Sequence, residues 1–338
     1  MESITDFAKY LQSFFTDCLA GERGVSRHTV RSYRDVFILL VDYMKDEKNI
    51  PADKLKMEDL TREVILSFLN WLQDKRGCGI STRNQRFAAI RAFFGYLQYK
   101  DPARMSQWQS VRSIRLKRSA KSSVSYLTFD GIKCLLEQIP AETRSGRRDL
   151  ALLSLLYDSG ARVQELIDLT PSALRLYKPY IVELSGKCMK KRIVPLQEKQ
   201  TDLLRAYIKE FGLDQPSMNK HPLFFNSWGE KLTGAGVTYI LLKYARTAKM
   251  VKPELIPDKI SPHVLRHSKA MHLLQAGVNL VYIRDILGHV SIQTTEVYAR
   301  ADSKLKREAL QNAYTNVINK EPSWEKDPKL RTFLKNLA

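Results

Sequence analysis

Four of the six histidines fall between His263 and His289, with arginines close beside them. In SPHVLRHSKAMHLLQAG, Ser261 to Gly277, His263 and Arg266 are three residues apart, so on a helix they share a face and can point at one small target. His267 lies four residues after His263, a spacing that can hold zinc. A zinc peptidase would carry Glu directly after the first histidine; Val264 stands there, and no further ligand is evident, so no metal site is expected. Upstream, DSGARVQEL sets Arg162 and Glu165 three apart after a glycine break, which by itself describes an ordinary local ion pair. Downstream, LGH puts His289 behind Gly288, where an imidazole can simply stabilise helix-end carbonyls. TTEVYAR adds Tyr298, one of fifteen tyrosines, most of which serve as apolar plates with a polar tip. None of these motifs is informative alone.

The elements that must position them follow from periodicity. Ser261 caps a helix with Pro262 in its first turn and Gly277 closing it. A second helix runs from Leu280 to Leu287, its apolar face formed by Leu280, Ile283, Ile286 and Leu287. Gly288 ends it, and Ser291 caps the helix that carries Tyr298. Before Arg162, a helix capped by Thr128 and the apolar helix RDLALLSLLYDSG, ended by Gly160, supply core. YIVELSGKCMKKRIVPL reads as a β-hairpin of Tyr180 to Leu184 and Arg192 to Leu196, with Lys187 in its basic turn. Helices resume at Gln197 and, after the break NKHPLFFNSWGEKLTG, from Val237 to Lys249.

Residues 1–100 show only helical periodicity and predict a bundle of four or five helices, one of them capped by Ser81. Exposed arginines gather near two helix starts, Arg27, Arg31 and Arg34 on one and Arg83, Arg86 and Arg91 on the other. They are either phosphate contacts or solvated faces. Residues 101–125 lose periodicity and become basic and Ser-rich. Arg112, Arg115, Lys117, Arg118 and Lys121 mark this stretch as an interdomain linker able to follow a phosphate backbone. The expected fold class is mainly α with a small antiparallel β-sheet: an all-helical N-terminal domain, the linker, and a mixed α+β domain over residues 126–338 with a C-terminal tail helix.

A chain of 338 residues suits two domains. Lys and Arg number 55 against 36 Asp and Glu, a formal charge of +19 that points to a polyanionic partner, nucleic acid first and an acidic membrane surface second. Apolar runs such as ALLSLLY are far shorter than the roughly 20 residues that span a bilayer, and the N-terminus lacks a signal-like pattern. A cytoplasmic, nucleoid-associated protein is expected. Cys18, Cys78, Cys134 and Cys188 are scattered and read as reduced small hydrophobes.

Taken together, Arg162 in SGARVQEL, Lys187 in SGKCMKKRIVPL, His263 and Arg266 in HVLRH, His289 in LGH and Tyr298 in TTEVYAR stand in the order and spacing of the tyrosine recombinase family. That lambda-integrase-like group includes Xer-like, phage and mobile-element integrases. The resemblance covers the C-terminal domain, and the N-terminal domain is similar to the family's core-binding domain. One departure is Cys188, where the hairpin turn often has Gly; it leaves Lys190 or Lys191 as stand-ins for Lys187.

The resemblance implies a site-specific DNA recombinase in which Tyr298 attacks a phosphodiester and holds the strand as a 3′-phosphotyrosyl ester. With an ordinary phenol pKa near 10, only about one molecule in a thousand is ionised at pH 7, a deficit of roughly 4 kcal/mol. The family assigns the general base to His263. Arg162 and Arg266 would clamp the non-bridging oxygens, Lys187 would protonate the leaving 5′ oxygen, His289 would donate to the phosphate, and Glu165 would orient Arg162. Neither metal nor ATP is implied: the chain has no GxxxxGK[ST] loop and no tight acidic cluster. The implied assembly is a tetramer on double-stranded DNA. The tail either docks on a neighbouring subunit or folds back on its own domain. A type IB topoisomerase and a non-cleaving DNA-binding accessory protein are the alternatives. Only nine residues separate His289 from Tyr298, so the tyrosine is expected to serve its own active site.

Overall fold

The computed structural model describes residues 5–118, 124–186, 190–301 and 328–336. The chain divides into two compact units, Met1–Ser122 and Ser123–Ala338.

Five α-helices build the first unit: α1 (Asp6–Ser13), α2 (Arg27–Lys48), α3 (Arg62–Asp74), α4 (Ile80–Lys100) and α5 (Met105–Arg112), with a π-helical stretch, Phe14–Glu22, after α1. Thr5, Ser26 and Thr61 cap α1, α2 and α3, each side-chain oxygen accepting an otherwise orphaned backbone N–H. Helix α4 begins differently. Gly79 holds its cap position, so Ser81, expected to cap, lies inside the first turn. The core is aromatic: Phe14 packs on Phe37 and Phe93 with ring centroids 6.3 and 5.3 Å apart.

Two expectations change here. The supposed linker contains α5, whose Trp108 and Val111 are fully buried and whose indole N–H donates to the Asp101 carbonyl at 2.8 Å. Eight residues with basic flanks are too few to show a helical period, so a core element reads as linker. After Ile114 the chain is exposed throughout residues 115–118, with Arg115, Leu116, Lys117 and Arg118 at the surface. Arg83, expected on an exposed face, is 1% exposed. It sits one turn before Phe87 on the stripe that continues through Ile90, Phe94 and Leu97, and its Nη1 donates to Asn84 Oδ1 at 3.2 Å. Arg27 and Arg31 are exposed on α2, and Arg86 is half-buried near them across a surface depression of about 350 Å³.

The second unit runs α6 (Phe129–Glu137), α7 (Arg144–Ser159), α8 (Val163–Ile167), β1 (Leu174–Arg175), β2 (Ile181–Ser185), β3 (Lys191–Pro195), α9 (Glu198–Glu210), α10 (Gly234–Val251), α11 (Pro262–Gln275), α12 (Leu280–Leu287), α13 (Ile292–Ala301) and α14 (Pro328–Lys335). The strands form one antiparallel sheet in the order β1-β2-β3, so the expected hairpin gains a short third strand. Leu184 pairs with Arg192 and Val182 with Val194, which sets Arg192 and Val194 on one side of the sheet. Leu152, Leu155 and Leu156 of α7 pack with Val182, Leu184 and Val194 in the main core. A smaller cluster joins Met271, Leu274, Ile283, Leu287 and Tyr298. The mainly helical fold with a small antiparallel sheet is as expected. Lys187, Lys121 and the expected tail helix KLKREALQNAYTNVIN lie outside the described residues. Among the described residues no helix is long and apolar enough to cross a membrane.

If α5 belongs to the core, Trp108→Ala costs about 3–5 kcal/mol of stability in denaturant unfolding of the full chain. A cost within about 0.5 kcal/mol, the range of a surface substitution, would return the segment to linker.

Candidate active site

Glu165 is the buried anion around which three arginines assemble. It occupies the third position of α8, where Oε2 accepts the Arg162 backbone N–H at 2.8 Å, and Oε1 accepts Arg162 Nη1 at 2.8 Å. From β3, Arg192 closes a two-pronged pair on the same carboxylate, Nη1 to Oε1 at 2.8 Å and Nη2 to Oε2 at 2.7 Å. Burial alone would push this carboxyl up, but the Arg192 hydrogen bond, the Arg162 backbone N–H and the nearby charges outweigh it and hold Glu165 at about 2.

The C-terminus of α12 supplies the rest. Three consecutive carbonyls each accept from a different arginine: Ile286 from Arg192 Nε at 2.8 Å, Leu287 from Arg266 Nη2 at 2.5 Å and Gly288 from Arg162 Nη2 at 3.1 Å. A helix end has unpaired carbonyls and a partial negative charge, so it attracts cations and fixes their directions. Arg266 also donates Nη1 to the Gly160 carbonyl at 2.6 Å. Both glycines are required. Gly288 has φ of 63° and a Cβ there would lie 2.9 Å from Arg192 Nη1, while Gly160 has φ of 57° and its Cβ would lie 2.8 Å from a Leu287 methyl. Three guanidinium groups against one carboxylate leave excess positive charge. Arg266 registers it: burial, then the charges of Arg162 and Arg192, pull it down to about 10, still protonated at neutral pH. An anion entering here would relieve that stress.

Tyr298 lies beside this cluster, 3% exposed, with its hydroxyl 2.9 Å from His267 Nδ1. His289 stacks on the Tyr298 ring at 6.3 Å between centroids, and its Nδ1 is 2.9 Å from Thr295 Oγ1. Burial, and then the charges of Arg266, Arg162 and Arg192, take His289 down to about 4, so it is neutral at pH 7 and serves as a hydrogen-bonding group. Burial raises the Tyr298 pKa, while Arg266 and Arg162 oppose the rise. His263 is exposed at the start of α11, its ring 6.4 Å from that of His267. A cleft of about 530 Å³ opens next to the arginines, with Arg162, Lys190, Lys191, Arg192, Arg284 and His289 on its walls.

The structure therefore brings Arg162, Glu165, Arg266, His289 and Tyr298 together, with His263 at the edge. Arg192 and His267 are the residues sequence reasoning misses. Arg192 alternates with outward Lys191 and Ile193 at an inward position of the hairpin strand, an odd place for a cation, and that was its only signal. His267 is weighed solely as a metal ligand; among the described residues no cluster of His, Cys, Asp or Glu is built to hold one.

A helical first unit and a sheet-bearing second unit with arginines gathered beside a tyrosine make an arrangement suited to an anionic, phosphate-bearing substrate. The phage integrase family matches residues 125–304, and the phage integrase N-terminal SAM-like domain matches residues 11–100. The chain belongs to this family, the tyrosine-type site-specific DNA recombinases. It is 33% identical to the y4rC protein of Sinorhizobium fredii over 338 residues, all of both chains. It is 32% identical to the tyrosine recombinase XerC of Thermodesulfovibrio yellowstonii, over 84% of this chain and 89% of that one. Its fold resembles that of the XerH site-specific recombinase bound to palindromic difH substrate in a post-cleavage complex, with TM-score 0.70 and 20% identity, covering 92% of this chain and 90% of that one. It also resembles a lambda integrase dimer bound to a COC′ core site, with TM-score 0.65 and 17% identity over 90% and 79% of the two chains.

Glu165→Gln tests the hub. The folded pKa of about 2 lies below the ordinary 4.5, so the stabilisation is complete above pH 4.5 and is lost as pH falls toward 2. The variant melts lower at pH 7, by an amount equivalent to about 3–5 kcal/mol for a broken buried pair, and loses that part of the acid dependence. An unchanged melting curve across this range would contradict the assignment.

Proposed function

We propose that this chain cleaves and rejoins double-stranded DNA at specific sites through a 3′-phosphotyrosyl bond made by Tyr298. The observation that carries the reading is the convergence of Arg162, Arg192 and Arg266 on Glu165 and the end of α12, next to a buried tyrosine and a basic cleft. A phosphodiester in that cleft has its charge met by guanidinium forks fixed in advance, which favours the transition state because no reorganisation is needed as charge builds. Arg162 and Arg266 contact the non-bridging oxygens. His289 donates a hydrogen bond, and exposed His263 reaches the phosphate from the edge of the site.

In-line attack by the Tyr298 hydroxyl forms the Oη–P bond, gives the phenol proton to a histidine of α11 and breaks the bond from phosphorus to the 5′ oxygen. That oxygen takes its proton from Lys187 in the hairpin turn. Rejoining reverses these steps, the phosphotyrosyl ester conserving the bond energy, and neither metal nor nucleotide takes part. Tyr298 works in its own subunit, consistent with its contacts to His267 and His289 of the same chain. The enzyme works at the nucleoid in the cytoplasm as a tetramer on two DNA sites, the C-terminal segment docking on a neighbouring subunit. Arg27, Arg31, Arg86, Arg112, Arg115, Lys117 and Arg118 hold phosphates along the flanking duplex.

The test is covalent capture on a nicked duplex whose broken strand prevents rejoining. The unaltered chain accumulates a protein–DNA adduct insensitive to chelators, and Tyr298→Phe forms none. Adduct formation by the Phe variant would remove Tyr298 as nucleophile, and loss of activity with chelators would end the metal-free reading.

A further inference from the structure

The hydrogen-bond partner of the nucleophile is not the histidine that the family resemblance nominates. We propose that His267 is the proton acceptor for Tyr298: its Nδ1 holds the hydroxyl in the buried resting position and takes the proton as the oxygen bonds to phosphorus. The inference rests on the recombinase reading and deepens it.

The geometry is specific. His267 and Tyr298 approach from different helices, α11 and α13, with 2.9 Å between Nδ1 and the hydroxyl oxygen and 5.7 Å between ring centroids. A base must lie within hydrogen-bond reach of the proton it removes, and His267 meets that condition in the resting site. His263, one turn earlier, is exposed at the helix start, its ring 6.4 Å from that of His267. Of the three histidines on α11, His272 is bound to the Tyr157 hydroxyl at 2.8 Å, which leaves His263 and His267 on the side of the site. His267 is the one of these two in hydrogen-bond contact with Tyr298.

The charged and titratable groups facing His267 are His263 and Arg266 on its own helix, His289 from the α12–α13 turn and Tyr298 from α13. Burial first, then His263 and Arg266, lower the His267 pKa, so the ring is neutral at pH 7 with a free lone pair. An O–H donating to Nδ1 leaves the ring proton on Nε2. Tyr298 is shifted the other way, upward by burial. The two shifts keep the proton on the phenol until attack begins, so no phenolate is exposed in the resting enzyme.

During cleavage the Tyr298 oxygen forms its bond to phosphorus and its proton passes to His267 Nδ1, giving imidazolium. The bond to the 5′ oxygen breaks, and that oxygen receives a proton from the general acid. On rejoining, the 5′ hydroxyl attacks phosphorus and gives its proton back to the general acid, the bond from phosphorus to the Tyr298 oxygen breaks, imidazolium returns its proton to that oxygen, and the site ends as it began.

Single-turnover adduct formation decides it, on a nicked duplex whose cut strand is read from the adduct made by the unaltered chain. His267→Ala and His267→Gln both slow cleavage about 10²–10⁴-fold, because a glutamine carbonyl can hold the hydroxyl but cannot take its proton. The unaltered rate rises with pH through a limb below the ordinary histidine value of about 6.5. That limb disappears in His267→Gln, whereas His263→Gln lowers the rate and keeps it. Cleavage by His267→Gln within about 3-fold of the unaltered rate, well under the usual effect of a general base, would overturn the assignment. So would a limb lost with His263 instead.

Nitrogen-15 NMR of the full chain without DNA checks the contact independently of folding in the variants. The His267 Nδ1 resonance is that of an unprotonated acceptor and moves in Tyr298→Phe; an unmoved signal would sink the proposal. If the unaltered chain forms no adduct on any DNA, the recombinase reading fails and takes the base assignment with it. An active chain indifferent to His267→Gln loses only the base assignment.

Discussion

One carboxylate has to hold cations that would otherwise repel each other. Glu165 accepts from Arg162 and Arg192, and the last carbonyls of α12 accept from those two and from Arg266. Neither part suffices alone. The carboxylate lacks lone pairs for three guanidinium forks, and a helix end contributes only about half a charge. Together they fix three arginines with geometry to spare and charge in excess, which is what a site for a doubly esterified phosphate requires.

That constraint reaches into the fold. Helix α12 must end where it does, so Gly288 adopts a left-handed conformation that also admits Arg192. Helix α7 must end at Gly160, whose carbonyl meets Arg266, and α8 must begin at Arg162 so that Glu165 falls at its third position. The hairpin is tied in through β3, because Arg192 links the strand before the sheet's exit to both Glu165 and α12. The β2–β3 hairpin and the turn bearing His289 are therefore anchored to one ion cluster. Tyr298 stands apart from this polar network, in a small apolar cluster with Met271, Ile283 and Leu287. Its burial raises the phenol pKa and keeps it protonated, while the basic cleft opens beside the arginines, so the tyrosine and the cationic cleft lie in different environments.

Much of this was legible in the sequence for identifiable reasons. Helices α11 and α12 show clean periodicity and glycine stops, so Arg266 and His289 could be placed to the turn. The hairpin was marked by β-branched runs around a basic turn. What escaped was information carried by tertiary contact. Arg192 looks like one more lysine-or-arginine in KKR until its strand pairs with Leu184 and turns it inward. His267 is indistinguishable from a core or metal histidine until α13 brings Tyr298 against it. Arg83 and Trp108 failed in opposite ways: a charged residue lies on a buried stripe, and a short core helix hides in a basic segment.

The claim that the arginine cluster delivers a DNA phosphodiester to Tyr298 is tested most directly by the chemistry of the trapped adduct. Nuclease digestion of the protein–DNA complex followed by tandem mass spectrometry locates the attached nucleotide. The account predicts a nucleotide joined through its 3′ phosphate to the peptide containing Tyr298. Attachment at another residue, or through a 5′ phosphate, would contradict it.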